Sequence, residues 1–196
     1  MQIAHIVSDL VLSFTGFYVF FKHLVKLELS CTILWESFVL SIAASALFGA
    51  IRFAGFSQSA VVTSFFQNLA SITGGLGVAA ASFALVTNKS LSKLTCYIVL
   101  AFGFLLFALA EGFGLHQINA ILPIISMGLI FFFGIIGLFG RNKKSGIWLI
   151  IGVSFFALGT FRKQIFGEGD FNIDVFHFLT AGGLLSFGTA VSHSEK

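Results

Sequence analysis

Charge is the scarcest property of this sequence. Only 10% of its 196 residues are Asp, Glu, Lys or Arg, whereas 57% are hydrophobic. Soluble domains carry about 25% charged and 45–50% apolar residues, so this chain cannot cover a water-facing surface. We therefore predict an all-α integral membrane protein and exclude a large soluble domain.

Proline, lysine within apolar stretches and basic runs are also scarce. The single proline, Pro123, falls near the start of a predicted helix, where a missing N–H costs least. No lysine lies within a predicted span away from its ends, which excludes a retinal Schiff base. The only basic cluster is Arg141, Lys143 and Lys144, so we expect no nucleic-acid partner.

Uncharged stretches bounded by charge predict seven membrane-spanning helices in a single transmembrane domain, residues 1–196. The predicted bounds are 4–24, 32–54, 59–87, 93–111, 118–140, 145–163 and 173–192. The longest uncharged run, Phe53 to Asn88, has 36 residues and exceeds one span of about 20 residues. We therefore predict a loop around Gly55 to Gln58. The first ten residues lack a positive n-region, so we expect helix 1 to remain in the mature protein.

Basic residues fall mainly on one side of the predicted bundle. Eight of the eleven lie near the facing ends of helices 1 and 2, 3 and 4, or 5 and 6, or in the C-terminal tail: Lys22, Lys26, Lys89, Lys93, Arg141, Lys143, Lys144 and Lys196. The positive-inside rule makes this side cytoplasmic. We therefore expect an external N-terminus and a cytoplasmic C-terminus, in a bacterial inner membrane.

Small residues at helical spacing predict close helix packing in helices 3 and 5. Gly75 and Gly77 each precede an alanine by four residues, and Gly134 and Gly137 lie three apart. Glycine allows backbones to approach closely in a bilayer, where packing rather than water exclusion drives association. We interpret these positions as contacts within one bundle, with a homo-oligomer face as the alternative.

Ionisable side chains inside spans are costly and indicate functional sites. His5 and Asp9 lie four apart at the outer end of helix 1, and Asp174 and His177 lie three apart at the outer end of helix 7. If helices 1 and 7 are neighbours, these four side chains converge as metal ligands, zinc being one candidate, or as a general base; His116 is a fifth ligand candidate. The alternative is an interfacial role, with Asp174 at a helix N-terminus.

A second polar group lies at the inner end of helix 2. Glu36 follows Trp35, which we interpret as an interface anchor. We expect Glu36 to pair with Lys22, Lys26 or Lys93, with proton or ion handling as the alternative.

A third polar group spans helices 2 and 3. We expect Arg52 either to extend outward to the headgroups or to neutralise a carboxylate of helix 1 or 7. Gln67 and Asn68 should form interhelical hydrogen bonds, and Ser45 should bond its own backbone.

Three segments carry a resemblance to known proteins: SDLVLSFTGFYVFF in helix 1, LWESFVLSIAASALFGAIRFAGF in helix 2 and DFNIDVFHFLTAGG at helix 7. They resemble an uncharacterised bacterial seven-helix family, itself similar to the CREST-like proteins, which include alkaline ceramidases and progestin/adiponectin receptors. The resemblance implies a seven-helix bundle. Hydrolases of that superfamily cleave lipid amide or ester bonds with a zinc-bound water, held by a helix 2 histidine and an HxxxH pair in the last helix.

The sequence departs from this zinc-ligand pattern in helix 2 and in helix 7. His177 is followed four residues later by Ala181, and helix 2 has Gly49 where a ligand histidine is expected, four residues after Ser45. Either the metal site is rebuilt from the four residues of helices 1 and 7, or catalysis is lost. We favour the loss of catalysis.

Three functions follow as expectations. The first is a non-catalytic scaffold, lipid-binding protein or accessory subunit, whose partners are membrane lipids and other membrane subunits. The second is a CREST-like metal-dependent lipid hydrolase. The third is a small-solute or ion carrier that uses Glu36, Arg52, Gln67 and Asn68.

Overall fold

The computed structural model describes residues 2–27, 29–115 and 117–193, so the predictions for His116 and Lys196 lie outside it. The described chain forms seven long helices, each within three residues of its predicted bounds. They are α1 Gln2–Leu24, α2 Leu29–Phe53, α3 Ser59–Thr87, α4 Lys93–Gly112, α5 Gln117–Phe139, α6 Lys143–Thr160 and α7 Phe171–Ser192. A short helix, Arg162–Phe166, lies between α6 and α7.

Turn residues divide the longest uncharged run, as the sequence predicts. Gly55 has a φ of +114°, a conformation that side chains with a Cβ rarely adopt, and it separates α2 from α3. At the other end of α3, Asn88 adopts the left-handed conformation and ends the helix. Ser92 then caps α4, because its side chain accepts a hydrogen bond from the Thr95 amide at 3.1 Å.

Two π-helical turns lie inside long helices, and nothing in the hydrophobic pattern predicted them. Phe20–Leu24 forms the last turn of α1, and Ala70–Gly74 interrupts α3 near its middle. A π-turn adds a residue to the helical repeat and shifts the side chains that follow around the axis. In α3 this turn faces the cavity described below, where Ala70 and Ser71 form part of the wall.

Six of these helices are long and apolar enough to cross a membrane, which makes the chain a multi-pass membrane protein. The six are α1 to α5 and α7; α6 has 18 residues and begins with two lysines. The outward faces of α4 and α5 are strongly apolar, with Phe104 51% and Ile124 71% exposed. Such faces suit acyl chains rather than water.

The two ends of the bundle are formed by different helix termini. At the first, which we call the His5 end, the start of α1 meets the end of α2 and the start of α7. The His5 ring lies 4.8 Å from the Phe53 ring, and its Nδ1 lies 2.9 Å from Asp174 Oδ1. This contact confirms the predicted adjacency of the first and last helices.

The opposite end joins the end of α3, the start of α6 and the end of α7. Asn142 donates to the Leu85 carbonyl oxygen at 2.6 Å, and Ser145 donates to that of Ala190 at 2.8 Å. Both acceptors belong to helix ends, whose last carbonyls lack a partner within the helix. These two bonds therefore tie the α5–α6 turn to two other helices.

Glycine contacts bring α5 and α6 into backbone contact. A Cβ placed on Gly134 would lie 2.7 Å from Ile150 Cγ1, and one on Gly137 would lie 2.9 Å from the Gly146 Cα. A Cβ on Gly146 would in turn lie 2.6 Å from the Gly134 carbonyl oxygen. Because these neighbours are mostly backbone atoms, larger residues would force the two helices apart.

The two predicted packing glycines of α3 also lie at helix contacts. A Cβ on Gly77 would lie 2.7 Å from the Leu34 carbonyl oxygen of α2. One on Gly75 would lie 3.1 Å from the Ser126 hydroxyl of α5, a side-chain contact with more room to adjust. All four predicted glycines thus contact other helices of the same chain.

Aromatic rings fill the bundle away from the His5 end. Phe187 is fully buried, and its ring lies 5.9 Å from Trp35, 6.2 Å from Phe38 and 5.5 Å from Phe156. Trp35 is only 2% exposed, so its predicted role as an interface anchor is wrong. Edge-to-face and tilted contacts of this kind stabilise a dry core.

Candidate functional site

The candidate site joins α1 and α7 at the His5 end through five polar side chains: His5, Ser8, Asp9, Asp174 and His177. The i, i+3 and i, i+4 spacings place each helix's members on one face. His5 and Asp9 are 6% and 3% exposed, and the other three side chains face them. We call these five residues the polar cluster.

Ser8 is the centre of the polar cluster. Its hydroxyl donates to Asp174 Oδ1 at 2.6 Å, and its oxygen lies 3.0 Å from His177 Nδ1. The His5 carbonyl oxygen lies 3.1 Å away. A hydroxyl has one proton, for which the two acceptors Asp174 and the His5 carbonyl compete, and its lone pairs can accept a bond from His177. Ser8 therefore fixes the orientation of Asp174 and His177 relative to α1.

Asp9 is 3% exposed and lies about one helical turn beyond His5 on α1. Its Oδ1 lies 3.3 Å from His177 Nε2. Its other oxygen, Oδ2, is buried and has no hydrogen-bond partner among the described residues. The carboxylate rests against Gly49 of α2, where an added Cβ would lie 2.7 Å from Oδ2. Gly49 thus provides the space that the carboxylate occupies.

A cavity of about 300 Å³ begins at this carboxylate. Asp9, Arg52, His177 and Thr180 provide polar atoms in its wall, and the Thr180 hydroxyl is buried without a partner in the described chain. The wall residues of α2 run from Phe38 to Arg52. At 1.5 Å of rise per residue the cavity therefore extends about 20 Å along α2.

The remainder of the cavity wall is largely apolar. Leu12, Phe38, Ile42 and Phe156 contribute side chains, and Ala46 and Gly49 leave open space beside them. The cavity is therefore long, with charged groups at one end and a mainly apolar wall that also includes Ser45, Thr63, Gln67, Ser71 and Thr160. This combination is typical of sites that bind amphiphilic molecules.

Arg52 forms no direct ion pair with a carboxylate among the described residues, although it is close enough for its charge to act on Asp9, one of its predicted partners. The two ion pairs within the described residues join His5 to Asp174 and His177 to Asp9, without Arg52. Its guanidinium carbon instead lies 4.4 Å from the centre of the Phe53 ring. Stacking of this kind holds the group in place while its N–H donors remain available at the ring edge.

The cluster does not present a ligand set for a metal. Among the described residues, no group of three or more His, Cys, Asp or Glu side chains is arranged to hold a metal ion. The reason is visible at His177, where Ser8 and Asp9 occupy the two ring nitrogens. The predicted residues do converge, but they bind one another rather than a common point.

The remaining predicted polar residues lie apart from the cluster. Ser45 lines the cavity and donates to the Thr63 carbonyl oxygen at 3.1 Å, so the predicted bond to its own helix is wrong. Gln67 also lines the cavity. Asn68 donates to Glu111 of α4 at 2.8 Å, an interhelical bond of the predicted kind.

Glu36 does not form the predicted ion pair. It is half-buried near the opposite end of the bundle, and it lies within 4 Å of no lysine nitrogen among the described residues. Lys22 instead bonds the Tyr18 hydroxyl on its own helix. One of the three lysines expected to pair with Glu36 therefore has another partner.

Sequence reasoning missed three residues that build the site: Ser8, Gly49 and Thr180. Ser8 and Thr180 each follow a predicted histidine by three residues, so helical spacing could have identified them. Gly49 carried no such signal, because its role depends on the approach of a side chain from another helix.

Comparison of this chain with protein-family profiles, curated proteins and solved structures gives no significant match. The resemblance to the CREST-like proteins therefore rests on the three quoted segments. The functional argument proceeds from the geometry of the polar cluster and the cavity.

Proposed function

We propose that this chain is a non-catalytic, polytopic inner-membrane protein that binds a lipid-like amphiphile in the cavity beside the polar cluster. One observation carries the proposal. The cavity combines an unpartnered carboxylate and a guanidinium at one end with about 20 Å of largely apolar wall. A polar head at Asp9 and Arg52, followed by a single hydrocarbon chain, matches both parts.

The proposal includes seven membrane spans. Although α6 begins with two lysines, it contacts α7 along most of its length. Ser145 bonds Ala190 near one end, Gly152 packs on Phe187 in the middle, and Gly159 packs on the Phe176 ring near the other end. A helix that follows a spanning helix in this way crosses the same membrane, with its lysines at the surface.

The proposed orientation places the His5 end outside the cell. The basic residues at the ends of α1, α3 and α5 lie at the opposite end, which the positive-inside rule assigns to the cytoplasm. Single cysteines at Gln58 and Asn142, which lie in turns at opposite ends, test this assignment. We expect a membrane-impermeant maleimide to label intact cells at Gln58 only. Labelling at the Asn142 position alone would show the opposite orientation.

The geometry favours binding over the two alternatives. For a hydrolase, Ser8 is 1% exposed and does not line the cavity, so its hydroxyl is not presented to a substrate. For a carrier, the rings of Trp35, Phe38, Phe156 and Phe187 contact one another within the bundle, which argues against a polar path through it.

Filling the cavity should remove the ligand. Ala46 is 4% exposed and lines the cavity, so a phenylalanine at this position projects into the space for the hydrocarbon chain. We expect wild-type protein, purified in a mild detergent, to retain one amphiphile per chain by native mass spectrometry. The Ala46→Phe variant should retain at most about one tenth as much amphiphile. The loss of about 1.4 kcal/mol of contact with the hydrocarbon chain weakens binding tenfold.

Leu47→Phe provides the matched control. Leu47 is the next residue on α2, is 36% exposed and is absent from the cavity wall. The same phenylalanine at this outward-facing position should leave occupancy at the wild-type level, and gel filtration should show both variants to be monodisperse. Equal occupancy in folded Ala46→Phe and Leu47→Phe proteins would overturn the proposal.

A further inference from the structure

We infer that the bound amphiphile has a zwitterionic head group, with its ammonium at Asp9 and its phosphate or carboxylate at Arg52. This inference rests on the proposed function and specifies the ligand of the same cavity. It follows from the two opposite charges at one end of the cavity wall and from the absence of a direct ion pair joining them among the described residues.

The cationic half of the head group is assigned by Asp9. This side chain is 3% exposed, and Oδ2 has no hydrogen-bond partner among the described residues. A buried carboxylate oxygen without a donor is costly, and an ammonium ion or another N–H donor removes that cost. His177 already occupies Oδ1. Because Asp9 lines the cavity, we place the ammonium of the ligand beside this carboxylate.

The anionic half is assigned by Arg52. Its guanidinium stacks on Phe53 and forms no ion pair within the described residues. A guanidinium presents N–H donors in a planar fork that matches the geometry of phosphate and carboxylate. Since Arg52 lines the same cavity as Asp9, an anion bound there belongs to the same ligand.

The two charges lie at the same end of the cavity, as one short zwitterion requires. The Asp9 carboxylate rests on Gly49, and Arg52 lies three residues further along α2 on the same face. Residues three apart lie on one face of a helix, so Arg52 projects on the side of α2 that carries the Asp9 carboxylate. A phosphoethanolamine head joins an ammonium and a phosphate by an ethylene link, which presents both charges at one end of a lipid. The unpartnered Thr180 hydroxyl adds one more polar contact for such a head.

Net charge then decides between lipid classes. A zwitterion satisfies both Asp9 Oδ2 and the Arg52 guanidinium, whereas an anionic lipid brings no cation to Oδ2 and a cationic amphiphile brings no anion to Arg52. Removing one partner from a buried charge pair typically weakens binding by tenfold or more. The site should therefore prefer zwitterionic over anionic single-chain lipids of equal chain length.

Three probes test this preference with the purified full chain in a nonionic detergent: lysophosphatidylethanolamine, lysophosphatidylglycerol of the same acyl length, and glycerophosphoethanolamine, which has no chain. We expect the first to bind at least about tenfold more tightly than the second. The third should bind weakly, because the apolar wall contributes nothing to it. If the head group alone binds as tightly as the lipid, the ligand is a soluble zwitterion and the amphiphile proposal fails.

Charge-removing variants complete the test. Asp9→Asn should abolish the preference for the ethanolamine lipid, and Arg52→Gln should weaken both lysolipids. The controls are Asp170→Asn and Lys163→Gln, which remove exposed charges at the same end and should change neither affinity. Circular dichroism would establish that each variant is folded.

The outcomes separate the two proposals. Equal affinity of the wild-type protein for both lysolipids, with Ala46→Phe abolishing both, would overturn the zwitterion inference and leave amphiphile binding intact. A preference that survives in folded Asp9→Asn protein would also overturn the inference. Failure of both lysolipids to bind would overturn both proposals.

Discussion

Replacing Gly146 by alanine should destabilise the protein by about 3 kcal/mol, a typical upper value for overpacking. An alanine Cβ at this position would lie 2.6 Å from the Gly134 carbonyl oxygen and 2.9 Å from the Gly137 carbonyl carbon. Both atoms belong to the backbone of α5, which cannot rotate away as a side chain can. The methyl group must therefore separate α5 from α6.

Gly128→Ala is the matched control, and its effect should have the opposite sign. Gly128 lies inside α5 and has no heavy atom within 4 Å of an added Cβ. Alanine at such a position stabilises a helix by about 0.5–1 kcal/mol relative to glycine. The free energy of unfolding, measured by denaturant titration in mixed micelles, provides the readout. Equal effects of the two substitutions would contradict the described α5–α6 contact.

The helices were predictable because charged residues are few in this chain and fall mainly where spanning helices end. Charged residues and Gly55 mark nearly every boundary, and the observed bounds differ from the predicted ones by at most three residues. The two π-turns were not predictable in this way. A π-turn changes the number of residues per turn without changing composition, so the apolar pattern contains no sign of it.

The packing glycines were predicted one helix at a time. Gly134 and Gly137 were identified from their spacing on α5, but their partner Gly146 on α6 was not. A lone glycine near a helix start gives no periodic signal. Its importance follows only from the approach of α5, which is a tertiary property.

The polar cluster was also predictable only one helix at a time. The spacings of His5 to Asp9 and of Asp174 to His177 predict one polar face on each helix, and the two faces do meet. The sequence did not show that the side chains would satisfy one another. The expectation for Glu36 was wrong because oppositely charged groups at one rim need not lie on facing helix surfaces.

Cysteines at Ser8 of α1 and Asp174 of α7 should cross-link almost completely. Moving the α1 cysteine by one residue, to Val7, should abolish the cross-link. The Ser8 hydroxyl lies 2.6 Å from Asp174 Oδ1, so cysteines at these two positions bring their sulfur atoms within reach of a disulfide or a one-carbon thiol linker. Val7 is 50% exposed and points away from α7. The Val7→Cys and Asp174→Cys pair is therefore the control.

The measurement uses protein in which Cys31 and Cys96 are replaced by alanine and a protease site is inserted in the exposed turn, residues 54–58. After oxidation in native membranes and cleavage, a non-reducing gel shows whether the fragments containing α1 and α7 remain joined. The account predicts joined fragments for Ser8→Cys with Asp174→Cys and separate fragments for the control pair. Separate fragments from both pairs, or equal joining in both, would contradict the claim that the first and last helices meet at this cluster.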